Sequence, residues 1–380
     1  MSISKLNPVH GLERPVGLRR PGVIDAYLMG EVLPMFAGGM AVVVVLLILG
    51  LLVDQAAPII AKGVNPLLVG KYLAFRLPEA FSRGMPIALL FAVLLSLSRL
   101  AQDSELKAAV LHGVSPTRLA IPVLLAGGLV AVLSFINEEA FVPRGYVQSQ
   151  RVMKDIILSN PRILVSPGTF FNDGQGQAIY VQRVLPGAKL EGVTVIQTSP
   201  AQVPRRLTVA PRGEIVEGEG AIRLHDGTQT TYRNNNPRPA SVFKFQVATI
   251  PVRELQEGAD PSSQPTYLPI GQLHARIDEL HRQGSPAYAE ETALHRKFAE
   301  PAAAIAFALF GVAMSLFSLR SSTNLGLVGV MLLTFLYYAT YTVFGVMGDS
   351  GALWAPLAAW APDALYAFGG IGLLLAARRG

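Results

Sequence analysis

Long runs of residues without a charge dominate the chain and limit what it can fold into. Residues 32–53 contain no Asp, Glu, Lys or Arg, and neither do residues 119–137, 301–319 and 321–348. About 20 apolar residues, rising 1.5 Å each in a helix, cross the roughly 30 Å hydrocarbon core of a bilayer. Only 15% of the residues are charged and the mean hydropathy is +0.40. These runs predict a polytopic α-helical membrane protein.

Six transmembrane helices are predicted, in two groups of three. The first lies within residues 32–53, and the second begins near Leu67 and includes charges before the uncharged residues 84–98. The others cover 119–137, 301–319, 325–347 and 361–377. The predicted domains are 1–140 with an N-terminal cytoplasmic segment and helices one to three, a soluble domain over 141–268, and 269–380 with an amphipathic linker helix and helices four to six.

Lysine and arginine in the short connections set the orientation, because cytoplasmic connections are rich in these residues. Cations occur in the N-terminal segment, between helices two and three, and at the C-terminus: Lys5, Arg14, Arg19, Arg20, Arg99, Lys107, Arg118, Arg378 and Arg379. The connection after helix one contains only Lys62, and residues 348–356 contain none. This asymmetry predicts that both termini are cytoplasmic and that the soluble domain lies outside the cytoplasmic membrane.

The segment between the two helix groups has the pattern of an all-β domain. Short alternating stretches separated by Gly, Pro and Asn predict strands at 178–184, 192–197, 206–210, 213–216, 221–225, 229–232 and 241–247. Asp226-Gly227 predicts a two-residue hairpin turn between two of them. Many short strands favour an antiparallel sandwich or jelly roll. The chain has no cysteine, so this domain has no disulfide.

A short amphipathic stretch lies between helices two and three, on the predicted cytoplasmic side. Asp103 or Ser104 can cap a helix that begins with Glu105, and Gly113 can end it. Leu106 belongs to its apolar surface, but the stretch is too short to cross a membrane. Two interpretations remain open: an ordinary interfacial linker, or a coupling helix over 103–113 that passes the motion of a cytoplasmic partner to the membrane helices.

The second helix begins with charges on one face. Tyr72, Arg76, Glu79 and Arg83 occupy positions i, i+4, i+7 and i+11, and Lys71 is adjacent. A charge facing lipid near the bilayer centre costs about 2.5–3.5 kcal/mol, so this stripe should face protein, an interface or water. Either the stripe is a structural ladder of ion pairs, or its cations meet anionic lipid head groups in an outer-leaflet cavity.

The sequence lacks the motifs of common enzyme classes. It contains no Gly-x-x-x-x-Gly-Lys-Ser/Thr loop for ATP, no His-Glu-x-x-His zinc motif and no Gly-x-Ser-x-Gly nucleophile elbow. Its six histidines are scattered and form no metal-ligand pattern. We therefore predict no catalytic residue, no metal site and no bound cofactor in this chain, and no nucleic-acid partner.

Several segments, taken in order, resemble one known family. They are residues 24–28, 53–55, 97–106 with 113–115, 138–143, 295–301 and 358–363. The most informative is the run Leu97-Ser98-Arg99-Leu100-Ala101-Gln102-Asp103-Ser104-Glu105-Leu106. With the layout of three helices, β-domain and three helices, the chain resembles the LptF/LptG (YjgP/YjgQ) permeases, the membrane subunits of the lipopolysaccharide-export ABC transporter.

The resemblance implies a set of partners and a cargo. It implies a periplasmic jelly-roll domain that hands lipid to LptC- and LptA-like jelly-roll proteins. It also implies a second LptF/LptG-like permease around a shared cavity, and a separate cytoplasmic LptB-like ATPase dimer that binds ATP and magnesium. The cargo is lipopolysaccharide or a related anionic glycolipid, and the location is the inner membrane. An F-like and a G-like subunit fit equally.

The resemblance assigns roles only where positions match. A glutamate of the family's coupling helix contacts the ATPase, and the matching residue is Glu105, with Ser104, Leu106 and Gly113 around it. Ala26 stands where family members commonly carry Arg, and helix one lacks a cation for lipid phosphate. The candidate lipid contacts are therefore cations of the predicted outer half: Lys62, Lys71, Arg76 and Arg83. The alternative function is a membrane-anchored sensor or scaffold with an external β-domain.

Overall fold

A computed structural model describes residues 22–61, 63–112, 114–159, 170–172, 177–185, 189–198, 204–216, 221–232, 239–251, 264–321 and 326–379. Two expected site residues, Lys62 and Gly113, lie outside these ranges, as do the N-terminal cations Lys5, Arg14, Arg19 and Arg20. The described residues form helices in the first and last parts of the chain and one antiparallel sheet between them.

Helices make up both ends of the described chain. In order they are α1 Val23–Leu51, α2 Ala57–Ala61, α3 Pro66–Gln102, α4 Glu105–Leu111, α5 Pro116–Ile136, α6 Val142–Ser159, α7 Ile270–Arg282, α8 Tyr288–Ser321, α9 Gly326–Asp349 and α10 Ala355–Arg379. Two π-helical turns, Leu52–Ala56 and Asn137–Phe141, join α1 to α2 and α5 to α6. A 3-10 turn, Pro265–Tyr267, precedes α7.

Six helical segments in the described ranges are long and apolar enough to cross a membrane, as predicted. They are Val23–Ala56, Pro66–Gln102, Arg118–Ile156, Tyr288–Phe317, Met331–Asp349 and Ala355–Ala376. The third and fourth are much longer than the predicted 119–137 and 301–319. An uncharged run ends at its first charge, whereas Glu138, Lys297 and Glu300 continue their helices because they find polar partners inside the protein.

Helices α3 and α8 form the centre of the helical part. Val93 of α3 and Phe307 of α8 are fully buried. Glycines let the helices approach closely, since a Cβ on Gly311 of α8 would lie 2.9 Å from Val93 Cγ1. In the same way, a Cβ on Gly127 of α5 would lie 2.8 Å from Ala308 Cβ. This packing places the polar side chains of α3 beside those of α8.

The outer faces of α1 and α9 are apolar and exposed. In the membrane-crossing segments that contain α1 and α9, only 17% of the most apolar 18-residue stretch is buried. On α1 the exposed side chains include Leu33 and Leu46, and on α9 they include Phe335 and Val346. An apolar surface this long is covered in the membrane by lipid or by another membrane subunit.

The sheet is a meander of strands that each pair with the next. The strands are β1 Phe170–Asn172, β2 Gln177–Leu185, β3 Lys189–Thr198, β4 Pro204–Val216, β5 Ala221–Tyr232 and β6 Pro239–Pro251. All neighbouring pairs are antiparallel, in the order β1 to β6. One apolar cluster includes Val181, Leu190, Val193 and Leu224. The antiparallel all-β prediction is confirmed, and the closure of this sheet into a jelly roll stays a prediction.

The predicted hairpin at Asp226-Gly227 is wrong, because both residues lie inside β5. His225 pairs with Val247 and Gly227 with Phe245, so the register continues through the dipeptide. Asp226 takes a positive φ of 54°, which Asp tolerates better than most residues. A Cβ on Gly227 would lie 2.3 Å from the Phe245 ring. Glycine at this position makes room for an aromatic ring on the next strand. In the sequence, an Asp-Gly pair used in this way cannot be told from one that forms a turn.

Strand β4 was also mispredicted, as two strands and not one. The sequence predicts two strands, 206–210 and 213–216, because Pro211 interrupts the alternation. In the structure a single strand passes through this proline, with Val209 paired to Thr228 before it and Arg212 paired to His225 after it. The ladder with β5 therefore tolerates the missing backbone donor.

Candidate functional site

The charged face of α3 forms an ion-pair ladder. The Glu79 carboxylate forms ion pairs with Arg76 Nη2 at 2.9 Å and with Arg83 Nη2 at 2.9 Å. Arg76 and Glu79 are buried, with 8% of each residue exposed, whereas 49% of the Arg83 side chain is exposed. The ladder that the i, i+3 and i+4 spacing predicts is present. Tyr72, one turn earlier, donates its hydroxyl hydrogen bond to Gln55.

Tyr267, which is distant in the sequence, forms hydrogen bonds to two residues of this ladder. Its hydroxyl donates to Glu79 Oε1 at 3.0 Å and accepts from Arg76 Nη2 at 3.3 Å. Its ring stacks on Tyr146 with a centroid distance of 3.9 Å and an interplanar angle of 5°. Burial, and next the negative charge of Glu79, raise the pKa of Tyr267 to about 12. The phenol therefore stays a neutral donor near neutral pH.

A second buried ion pair connects α8 to the π-helical turn after α5. Lys297 Nζ lies 3.3 Å from Glu138 Oε1, and the two side chains are 3% and 8% exposed. Glu138 Oε2 also accepts from Ser82 Oγ at 2.6 Å. The π-helical turn shifts the helix register locally, and Glu139 in the same turn accepts from the backbone N–H of Ile270, the first residue of α7. Three separate parts of the chain meet here.

A cavity of about 190 Å³ lies between α3, α8 and α9. We call it the α3/α8/α9 cavity; its lining consists of Ser82, Arg83, Pro86, Glu300, Ala303, Tyr337, Tyr338, Tyr341 and Thr342. Glu300 accepts from the Tyr341 hydroxyl. The Tyr338 hydroxyl donates to the Arg83 backbone carbonyl at 3.1 Å. Tyr337, which also lines the cavity, donates to Asp363 Oδ1 of α10 at 2.9 Å.

The connection between α3 and α5 contacts α1 through a hydrogen bond and a buried apolar side chain. Helix α4 covers Glu105–Leu111, which is shorter than the predicted 103–113. Ser104 takes a positive φ of 63° and makes the sharp turn after α3. Glu105 is exposed and accepts from the Tyr27 hydroxyl at 2.6 Å, whereas Leu106 is buried in the central apolar cluster. The turn therefore presents a carboxylate to solvent from a fixed base.

The structure brings together some of the sequence-predicted residues and not others. Ser104, Glu105 and Leu106 share one turn, and Arg76 and Arg83 share Glu79. Lys71 is exposed and separate from the ladder. Four residues of these polar contacts received no site role in the sequence analysis: Tyr267, Glu138, Lys297 and Glu300. The last three lie in the segments 138–143 and 295–301 that carry the family resemblance. Nothing local marks Tyr267, which lies 188 positions from Glu79.

The chain is similar to a known protein family. The family model described as "Lipopolysaccharide export system permease LptF/LptG" matches residues 26–376. The matched range contains the ladder, the buried ion pair, the α3/α8/α9 cavity and the Glu105 turn. No curated protein matches the chain.

Proposed function

Because the chain belongs to the LptF/LptG family of lipopolysaccharide export permeases, we propose that it is a permease subunit that extracts lipopolysaccharide, or a related anionic glycolipid, from the outer leaflet of the inner membrane. A separate LptB-like ATPase dimer binds ATP and magnesium and drives the extraction. The observation that carries the proposal is the family match over residues 26–376, in a chain with six helices suited to crossing a membrane.

The proposed topology has both termini in the cytoplasm and the sheet in the periplasm. The distribution of Lys and Arg over the short connections supports it. The sheet completes a jelly roll whose apolar interior receives acyl chains and passes them to LptC- and LptA-like proteins. A second LptF/LptG-like permease is proposed to cover part of α1 and α9. The exposed apolar faces of these two helices support such pairing within the membrane.

Glu105 is the proposed contact with the ATPase. Its carboxylate is exposed, while Tyr27 of α1 donates to it and the neighbouring Leu106 is buried among residues of α1 and α3. A force on this short helix therefore acts directly on two membrane helices. This arrangement favours a coupling helix over an ordinary linker, because a linker needs no buried anchor at its first turn.

Lys71 and Arg83 are the proposed cations for lipid phosphate among the described residues. Lys71 is exposed and Arg83 is half exposed. Arg76 instead stabilises Tyr267, because its guanidinium is buried between Glu79 and the rings of Tyr146 and Tyr267. Lys62 is proposed on its sequence position alone.

Purification of the tagged full-length chain from its own membranes tests the proposed function. A second permease and a nucleotide-binding subunit should co-purify with it. The complex, reconstituted in vesicles, should hydrolyse ATP and release lipopolysaccharide to a soluble jelly-roll acceptor. A sensor or scaffold brings down no nucleotide-binding subunit, and that result would overturn the proposal.

A further inference from the structure

We propose that α3 passes the motion of the ATPase to the sheet, and that Tyr267 is the positioning residue that fastens both connections of the sheet to this helix. The outgoing connection is α6, which precedes β1 in the chain. The returning connection is the 3-10 turn Pro265–Tyr267 with α7, which follows β6. The inference rests on the proposed function, because it needs the ATPase to act at Glu105, and it extends that role to the outer end of α3.

Helix α3 continues without a break from the ion-pair ladder to the turn that carries Glu105. Its 37 residues span about 55 Å at 1.5 Å each. Pro78 and Pro86 lie inside it, and prolines allow a helix to bend. The π-helical turn after α5 supports α3 at the first of them, since Asn137 Nδ2 donates to the Pro78 carbonyl at 2.7 Å. A displacement at the cytoplasmic end therefore reaches the ladder.

Tyr267 contacts α3 and the outgoing connection at the same time. Its hydroxyl donates to Glu79 at 3.0 Å and accepts from Arg76 at 3.3 Å, and its ring stacks on Tyr146 of α6 at 3.9 Å. The Arg76 guanidinium carbon lies 5.4 Å from the Tyr267 ring centroid and 5.7 Å from that of Tyr146. One tyrosine thus joins the returning connection to both α3 and α6.

The outgoing connection also packs directly on α3 and is bonded to the returning one. A Cβ on Gly145 of α6 would lie 2.5 Å from the Phe75 carbonyl oxygen, so the backbones of the two helices approach closely. Glu139, just before α6, accepts from the backbone N–H of Ile270 at 3.0 Å. The outer part of α3 and the two connections therefore form one packed unit, which transmits displacement.

Buried charges make this contact specific to one register. Arg76 and Glu79 are buried in a helix suited to crossing a membrane, where apolar residues of similar volume pack at no greater cost. Apolar contacts would allow α3 to slide or turn beside the returning connection. Hydrogen bonds are directional, so a shift of α3 relative to Tyr267 breaks both of them. The connections therefore follow α3 when it moves.

Export by the reconstituted complex tests the role of Tyr267. Tyr267→Phe keeps the ring and its stacking but removes the hydroxyl. The ATPase should still co-purify and ATP hydrolysis should continue, while lipopolysaccharide released per ATP hydrolysed should fall about tenfold, the effect on an equilibrium of losing one hydrogen bond to a charged group. A purely structural role lowers the amount of folded complex but leaves this ratio unchanged.

Tyr366→Phe is the matched control. Tyr366 is 6% exposed and Tyr267 is 8% exposed, so both changes remove a buried hydroxyl. The Tyr366 hydroxyl donates to the Leu333 carbonyl and joins α10 to α9, and neither helix adjoins the sheet in the chain. The ratio of lipopolysaccharide released to ATP hydrolysed should equal that of the unaltered complex.

Spin-label distances test the contact without the ATPase. The chain has no cysteine, so Leu67→Cys on α3 and His274→Cys on α7 give two labels at exposed positions. We expect a single narrow distance distribution in the detergent-solubilised full chain. Tyr267→Phe should broaden this distribution, because the returning connection loses its bonds to α3, and Tyr366→Phe should leave it narrow.

Two results would overturn the proposal. One is a Tyr267→Phe complex that releases as much lipopolysaccharide per ATP as the unaltered complex, which shows that this contact transmits no motion. The other is a distance distribution that stays equally narrow in Tyr267→Phe, which shows that the hydroxyl does not fasten the connection. If the unaltered complex releases no lipopolysaccharide, the proposed function fails and the coupling role fails with it, while the spin-label distances still decide whether Tyr267 fastens α7 to α3.

Discussion

Replacing Lys297 with Met tests how strongly the buried ion pair holds the helices together. Methionine is nearly as long as lysine and carries no charge, so the change leaves the Glu138 carboxylate buried beside α8 without its cation. Removing one partner of a buried pair costs about 3–5 kcal/mol. Glu138 keeps the Ser82 hydroxyl as a donor at 2.6 Å, so we expect the lower end of that range, about 3 kcal/mol.

The double variant Lys297→Met with Glu138→Gln removes the orphaned charge. Glutamine can still accept from Ser82, and the methionine side chain fills the space of the lysine stem. We therefore expect most of the lost stability to return, with a net cost of about 1 kcal/mol. The difference between the single and double variants measures the energetic coupling between the two residues.

The assay is unfolding of the full chain in mild detergent by increasing sodium dodecyl sulfate, followed by loss of helical circular dichroism. Arg282→Met serves as the control, because Arg282 pairs with Glu279 at 2.5 Å on the surface and 73% of its side chain is exposed. Exposed pairs contribute about 0–1 kcal/mol. If Lys297→Met costs no more than Arg282→Met, the reasoning about burial is wrong.

Three further predictions follow from single contacts. Glu105→Arg should leave folding intact but uncouple ATP hydrolysis from lipid export in reconstituted vesicles, and normal export by this variant would contradict the coupling role. Tyr267→Phe keeps the ring but removes the donor to Glu79, at a cost of about 1–3 kcal/mol in detergent unfolding. Because the pKa of Tyr267 is raised from 10.0 to about 12, the advantage of the native residue should be constant below pH 10 and fall as the pH rises towards 12, and a flat difference would refute it. Gly227→Ala should open the sheet to limited proteolysis, since its Cβ would lie 2.3 Å from the Phe245 ring, and Phe245→Ala in the same chain should restore resistance.

Some features could be predicted from the sequence because their causes are local. Apolar runs identify membrane helices, since each residue contributes its own transfer free energy to the same 30 Å layer. The ladder of Arg76, Glu79 and Arg83 could also be predicted, because the helix repeat brings side chains three and four positions apart together. The position of the exposed Glu105 at the start of α4 has the same origin.

Other features were mispredicted because one residue type serves two purposes. Asp226-Gly227 and Pro211 read as breaks between strands, yet both lie within strands. The glycine makes room for the Phe245 ring, and that ring belongs to a neighbouring strand. The local signal for a turn and the long-range demand for space use the same residue, so sequence alone does not distinguish them.

The ends of the membrane helices and the partners of their charges depended on the tertiary structure. Glu138 and Lys297 are 159 positions apart, and Tyr267 is 188 positions from Glu79. The charged groups among them, Glu79, Glu138 and Lys297, would each stop a helix at the membrane surface without a partner, because an unpaired buried charge is costly. The sequence by itself determined that six apolar helices and a β-rich insertion form, since those depend on composition over short windows. Only the packed structure decided which charges could be buried among them, because a charge is tolerated there when distant residues supply its partner.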